Sequence, residues 1–553
     1  MAEYVGRVVA AAQGTGDLSL LLQNLKIFDV RDGHLSEETD IAILDGVIVG
    51  IGAGIYTEAV KKVNCVGLIA VPGFIDSHVH IESSLLAPAH FSSLVTKYGT
   101  TTCVCDPHEL ANVVGGDAVR YVVESNEVLP NDLKCMVPSC VPATHLESNG
   151  SVLDAEAIAE LADLDGVLGL AEVMNVPGVL YQDSEMMKKL AIFKNRQIDG
   201  HAPSVSGAGL NAYMAAGVRN DHECTTADEA REKVRKGMHV FIREGSACKD
   251  LYNLIGAVTN ELSDYFSFCT DDKNCVDIEA TGHIDTIIRR AILSGLPLHL
   301  CYKLATLSAA RHFGFSDRGL IAPGMRADIV LVSDLHMVSV EQVVINGTLR
   351  SEAKFPLIEH SVTKRATCVV LSELDPLMLK DEQRTDFVIG VHPGSIVTEK
   401  LTCCSADEID MCGVIHRHGH NANRCIGSVK GFQLKKGCAL ATTIAHDSHN
   451  IVFVASDAEK AVIAIERLVE IGGGMCVVEG DKVVDFPLEI GGLMTGSDMK
   501  HAMESLELVH NTAKSISALE EPFMTLSFIA LPVIPSLKIT DKGLVDVEKF
   551  DFV

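Results

Sequence analysis

Eight strand-like apolar runs recur between residues 68 and 272, and they restrict the possible folds more than any other feature of this chain. They fall at 68–76, 99–107, 133–141, 166–174, 196–203, 215–223, 237–245 and 265–272, with amphipathic helical stretches such as 154–164 and 226–237 separating several of them. Strands alternating with helices over about 250 residues predict a (β/α)8 barrel, an α/β architecture. A doubly wound open sheet is the alternative. It would more often carry a glycine-rich phosphate fingerprint after its first strand, and no complete copy of one occurs.

On either side of these units the texture changes. Residues 20–71 and 321–349 alternate apolar and polar positions between turn residues, which predicts antiparallel strands that pair across the chain into one small β-sandwich domain. Residues 363–553 mix strand runs with one helix at 457–472 and predict a further α+β domain. The expected organisation is 1–71 and 321–362 as the two halves of the composite β domain, 72–320 as the barrel, and 363–553 as the C-terminal domain.

Composition excludes some functions. With 46 Lys+Arg against 74 Asp+Glu the formal net charge is −28, so neither a nucleic-acid backbone nor an anionic membrane is the expected partner. The start of the chain shows no basic segment followed by an apolar one, and a cytoplasmic protein is expected. The high apolar content and the third region lead us to expect a homodimer or larger assembly. Seventeen Cys, an odd number, do not suggest a disulfide framework, and Cys103/Cys105 and Cys403/Cys404 lack metal or redox spacing.

His78 and His80 close the first barrel-strand run, and two residues apart on a strand they project to one face, where both can reach one metal ion. Glu172, His201, His222 and Asp271 fall at the ends of later runs, the end of a barrel where active sites are built. Four imidazoles and two carboxylates meeting at one mouth suffice for two divalent ions with a carboxylate and a hydroxide between them.

The run VPGFIDSHVHIESS at 71–84 resembles the strand-one signature of the amidohydrolase superfamily, and its HIESS ending resembles the adenine deaminase family in particular. The similarity continues through TTTCVCDPHE, GLAEVMNVPGV, DGHAP, CTDDKN, IAHDSHNIVFVAS and FIALPVIPSLKIT, covering nearly the whole chain. The resemblance implies a barrel with a composite β domain and a binuclear centre of manganese or iron. It implies His78, His80, His201, His222 and Asp271 as ligands, with Glu172 as a plain carboxylate bridge because GLAEVMN contains no lysine.

The implied reaction is adenine plus water to hypoxanthine and ammonia, with hydroxide held between the metals attacking C6 and Asp271 shuttling the proton. A ring nitrogen must receive a proton or hydrogen bond as charge develops. Glu82 and Glu223 are candidates for that role, or else for orienting a ligand imidazole. His108 is a candidate for substrate binding, against a solvated turn. Arg243 and Glu244 are candidates for clamping the purine edge, against an ion pair with each other. His446 and His449 are candidates for closing the mouth over the base or for binding a further metal, against an exposed polar turn. His446, Asp447 and Ser448 are too close in sequence to converge on one substrate atom as a hydrolase triad. His416, His418 and His420 alternate on one strand face, an arrangement open to adventitious metal binding against a solvated or interfacial run, and receive no catalytic role. The absence of PCxxC and HExxH excludes the zinc nucleobase-deaminase and zincin chemistries. Two other readings stay open: an amidohydrolase acting on a different aminopurine or cyclic amide, and a non-catalytic metal-binding or assembly protein on the same scaffold.

Overall fold

The computed structural model describes residues 2–553 except 385, 403, 406 and 407, so Cys403 lies outside the described residues. The eight apolar runs each contribute a barrel strand: β1 (Phe74–Val79), β2 (Thr100–Cys105), β3 (Asp132–Val137), β4 (Val167–Val173), β5 (Gln197–Gly200), β6 (Asn220–Asp221), β7 (His239–Arg243) and β8 (Phe266–Cys269). Strands β1 to β5 pair in parallel in chain order, as do β6 to β8. Two seams complete the ring. The Arg219 amide donates to the Ile198 carbonyl at 3.2 Å, and the Asp271 amide donates to the His78 carbonyl at 3.0 Å. The second seam sets Asp271 beside the His78/His80 pair before any side chain is considered. Inside, Val104, Met136, Ala171, Phe241 and Cys269 fill the barrel as a packed core.

The first predicted run straddles two strands. Ile69–Pro72 belongs to the flanking sheet and Phe74–Val79 to the barrel, with Gly73 between them. A Cβ at Gly73 would lie 2.2 Å from Thr101 Oγ1 and 2.9 Å from Asp328 Cβ, so the chain can pass from one sheet to the other only without a side chain. Gly73→Ala is expected to destabilise the fold by about 1–3 kcal/mol through overpacking, measured by denaturant unfolding.

The two flanking blocks meet in one eight-stranded sheet, where Ile69–Pro72 pairs antiparallel with Ile329–Val332. The pairing is not wholly antiparallel as expected: Leu20–Ile27 runs parallel to Lys61–Asn64 and to Ile69–Pro72. Period-two alternation reports burial of one face and carries no information about neighbour direction.

The C-terminal region is built on a second eight-stranded sheet. Helix Ala458–Ile471, the predicted one, lays Ala461, Ala464, Ile465 and Leu468 on one face of it. The longest helix, Met499–Ile516, was not foreseen. Its buried Ala502, Leu506, Val509, Ala513 and Ile516 recur at helical spacing and join a continuous core shared with the barrel's outer helices. The C-terminal region is thereby packed onto the barrel around its mouth. No helix among the described residues is long and apolar enough to cross a membrane.

Candidate active site

Six predicted side chains converge at the C-terminal ends of the barrel strands. His78 Nε2 and His80 Nε2 lie 3.1 Å apart, and both face Asp271 Oδ1, at 3.5 and 3.0 Å. His80 Nδ1 lies 2.9 Å from the Asp106 carbonyl oxygen. A carbonyl only accepts, so Nδ1 carries the proton and Nε2 offers its lone pair. Glu172 stands between two groups of imidazoles. Its Oε1 is 3.5 Å from His80 Nε2 and 4.0 Å from His78 Nε2. Its Oε2 is 2.7 Å from His201 Nδ1 and 3.4 Å from His222 Nε2.

This donor set fits divalent cations. Imidazole nitrogens about 3 Å apart and aimed at shared carboxylate oxygens are crowded nitrogen and oxygen donors of the kind that hold divalent cations. The donor atoms of His78, His222 and Asp271 lie within 4.8 Å of one another, as do those of Glu172, His201 and His222. The two carboxylates are held as anions. Burial pushes the Glu172 carboxyl up, but hydrogen bonds and charge from His201 and His222 outweigh burial and hold it well below the usual range. Asp271 follows the same balance, with His78, His80 and Arg243 opposing burial. Asp271 also adopts a left-handed backbone, φ 56°, which costs about 1–2 kcal/mol and is tolerated because the β8–β1 seam holds it.

A cavity of about 610 Å³ lies beside this cluster between the barrel rim and the C-terminal region, within the range of small-molecule sites, and none of the six donors is among its lining residues. Glu82, Glu109, Asp272, His446, His449 and Phe528 are among its walls. Glu82 accepts from the Leu110 amide at 2.9 Å through Oε1, while Oε2 has no partner among the described residues. Burial pushes its carboxyl up to about 7. His108 is buried, not in a solvated turn: its Nδ1 lies 3.3 Å from Asp106 Oδ2 and 3.3 Å from Glu172 Oε1.

Other predicted residues are placed elsewhere. Arg243 and Glu244 do not pair with each other, because consecutive strand residues point to opposite sides. Arg243 pairs with Glu223 and, at 3.0 Å, with Asp271 Oδ2. Glu244 pairs with Arg290 at 2.5 Å. Neither they nor Glu223 lines the cavity. Glu223 Oε1 sits 3.4 Å from His222 Nε2, so it lies between the Arg243 guanidinium and the imidazoles.

The segment 446–450 is buried against the barrel, not an exposed turn. Glu109 joins both its imidazoles, through Oε1 to His446 Nδ1 at 2.5 Å and through Oε2 to His449 Nε2. His449 Nδ1 accepts from the Ala445 amide at 3.2 Å, so Nε2 carries the proton and donates to Glu109. That assignment uses both ring nitrogens and leaves no lone pair on His449 for a further metal in this cluster. His446 stacks on Phe528, with centroids 5.4 Å apart. The fully buried Arg417 holds the segment from behind, donating to the carbonyls of His449, Thr367 and Gly491.

Sequence reasoning missed Glu109, Asp76 and Phe528. Glu109 adjoins the flagged His108 in the DPHE motif, and that adjacency was the available signal. Asp76 ties the seam together, accepting from Thr270 Oγ1 at 2.6 Å, from the Thr270 amide at 3.1 Å and from the His78 amide at 3.3 Å. Burial raises its carboxyl to about 7.

Residues 69–350 match the amidohydrolase family model, and together with the barrel and its mouth of imidazoles and carboxylates this defines the class as amidohydrolase. Residues 393–551 match the adenine deaminase C-terminal domain. The chain is 42% identical to an adenine deaminase of Cereibacter sphaeroides (strain ATCC 17025 / ATH 2.4.3), over 100% of both chains. It is 43% identical to one of Gluconobacter oxydans (strain 621H), again over 100% of both, and 44% identical to one of Brucella suis biovar 1 (strain 1330), over 98% of this chain and 95% of the relative. The chain belongs to the adenine deaminase family of the amidohydrolases.

Proposed function

We propose that this chain hydrolyses adenine to hypoxanthine and ammonia at the barrel mouth, with His78, His80, Glu172, His201, His222 and Asp271 holding two divalent ions, manganese or iron. The observation that carries this reading is the placement of Glu172, with one carboxylate oxygen toward His78 and His80 and the other toward His201 and His222, in a chain alike over its full length to adenine deaminases. Bound there, two divalent ions would make water acidic enough to supply a nucleophile near neutral pH.

The chain's own residues divide the remaining work. Asp271 Oδ1 faces the donor cluster and takes the proton of the attacking water, then returns it to the departing amino group. Arg243 at 3.0 Å fixes the other Asp271 oxygen, and Glu223 holds that guanidinium in place. Glu82, a lining residue of the cavity with its carboxyl pushed up to about 7 and Oε2 without a partner among the described residues, donates to a ring nitrogen as charge accumulates. His446 and Phe528, both lining the cavity, bound the base, and the C-terminal region supplies that wall.

Ammonia release from adenine by the metal-loaded protein tests the proposal. Turnover of adenine above that of adenosine, guanine and hydantoins is expected, with loss after chelation and recovery with manganese or iron. Faster hydrolysis of a ring amide than of adenine would defeat it.

His446→Ala is expected to raise KM for adenine about tenfold with a smaller change in kcat, since an aromatic contact and a hydrogen-bonded wall are lost together. Burial opposes the charged ring of His446, but the charge and hydrogen bond of Glu109 outweigh it and raise its pKa to about 9. A raised histidine contributes fully below its free value and loses that contribution as pH rises through about 9. Wild-type folding stability should therefore fall relative to that of His446→Ala as pH rises from about 6.5 to about 9, measured by denaturant unfolding at each pH.

A further inference from the structure

The catalytic reading leaves HRHGH at 416–420 unused, and the structure surrounds it with polar groups that lack partners. It follows strand Asp410–Ile415 at the seam between the C-terminal sheet and the barrel's 145–150 segment. His416 is 1% exposed, yet among the described residues neither ring nitrogen makes a well-formed hydrogen bond, the Asn450 side chain lying beside it. The amide oxygen of the buried Asn450 is also unpartnered. A buried imidazole with two unmet nitrogens is destabilising, and native structures seldom leave one without a bound water or ion.

The neighbouring rings carry the second observation. His418 Nε2 lies 2.9 Å from the Ser448 carbonyl oxygen and His420 Nε2 lies 2.9 Å from the Gly150 carbonyl oxygen. Carbonyls only accept, so each Nε2 is protonated and each Nδ1 keeps a free lone pair. A ligand imidazole whose far nitrogen is tied to a backbone carbonyl is the usual state of a metal-binding histidine. The His416 centroid is 5.1 Å from that of His418 and 6.0 Å from that of His420, within the roughly 5–6 Å that two rings span when each nitrogen is about 2.1 Å from one zinc ion. Asp541 adds negative charge to the same seam, accepting from the Ser148 amide at 2.8 Å and Asn423 Nδ2 at 3.2 Å. The buried Glu147, next in sequence to Ser148 and beside the Ser448 side chain, has no well-formed hydrogen bond to either carboxylate oxygen among the described residues.

We propose that His416, His418 and His420, with Asp541 and the Asn450 amide oxygen beside them, form a cation site separate from the barrel mouth that takes a zinc-class divalent ion. Neutral imidazoles with an oxygen or two suit zinc, cobalt or nickel better than calcium or magnesium. His420 is an exposed residue and provides the entry route. Ser448 and Asn450 flank His449, so an ion here would brace the segment that carries His446 and His449 over the cavity.

The test loads full-length protein with zinc, desalts it, and measures zinc per chain for wild type, His420→Gln and the double variant His418→Gln/His420→Gln. His416→Gln is a third variant, used if it folds. Wild type is expected to hold one equivalent more than the double variant, whatever the barrel holds, and added zinc should raise the thermal midpoint of wild type more than that of the variant. His78→Asn, in the barrel, should lower metal content independently, so the two sites fail separately. Equal zinc in wild type and double variant would overturn the proposal and assign buried water to the seam.

Discussion

Asp271→Asn should lower kcat for adenine by about 10²–10⁴-fold, the usual contribution of a positioned proton-transfer group. Asparagine keeps the size and one oxygen toward the donor cluster, but it cannot accept a proton from water and return it to a leaving amine. The substitution is expected to preserve geometry, because the β8–β1 seam that positions residue 271 is made by backbone groups, its amide to the His78 carbonyl and its carbonyl to the His80 amide. The left-handed φ of 56° is also one that asparagine tolerates as readily as aspartate. Kinetics and metal content measured on the same preparation separate the roles. Normal turnover with metal still bound would remove Asp271 from proton transfer, and loss of metal with loss of activity would make it a ligand only.

Glu172→Gln should be as severe for a different reason. Its two oxygens serve different imidazole groups, with Oε2 2.7 Å from His201 Nδ1 and Oε1 3.5 Å from His80 Nε2. An amide supplies one neutral oxygen and turns an NH₂ donor toward the other group, so one half of the site faces a donor where it needs an anion. The loss in metal affinity should exceed the 10–100-fold typical of removing a group outside the coordination sphere, and activity should fall with it. Metal per chain after desalting, and ammonia release at saturating manganese, measure both. Full metal retention with turnover within tenfold of wild type would show that Glu172 does not link the two halves.

The barrel and its mouth were legible in the sequence because both depend on local patterns. Apolar runs of strand length mark β1 to β8, and the predicted donors fall at their ends, where a barrel brings distant residues to one rim. Even β6, reduced to Asn220–Asp221, leaves His222 next to its end. Resemblance to a family narrowed the substrate class, which no spacing of residues specifies. Strand direction in the flanking sheet and the helix Met499–Ile516 were not read correctly. Alternation does not encode neighbour direction, and the helix's apolar stripe at 502, 506, 509, 513 and 516 is interrupted by enough charge to read as a solvated segment.

By itself the chain determined which residue types stand at strand ends, and hence that four imidazoles and two carboxylates would meet. Local backbone preference and side-chain burial act over a few residues, and those are written in the order of the letters. Only the folded molecule decided who pairs with whom across hundreds of positions: Glu109 with His446 and His449, Arg243 with Glu223 and Asp271 and not with Glu244, and His416 left without a well-formed hydrogen bond among the described residues. Those choices depend on how the C-terminal sheet docks on the barrel, a packing of surfaces that no short stretch of sequence contains.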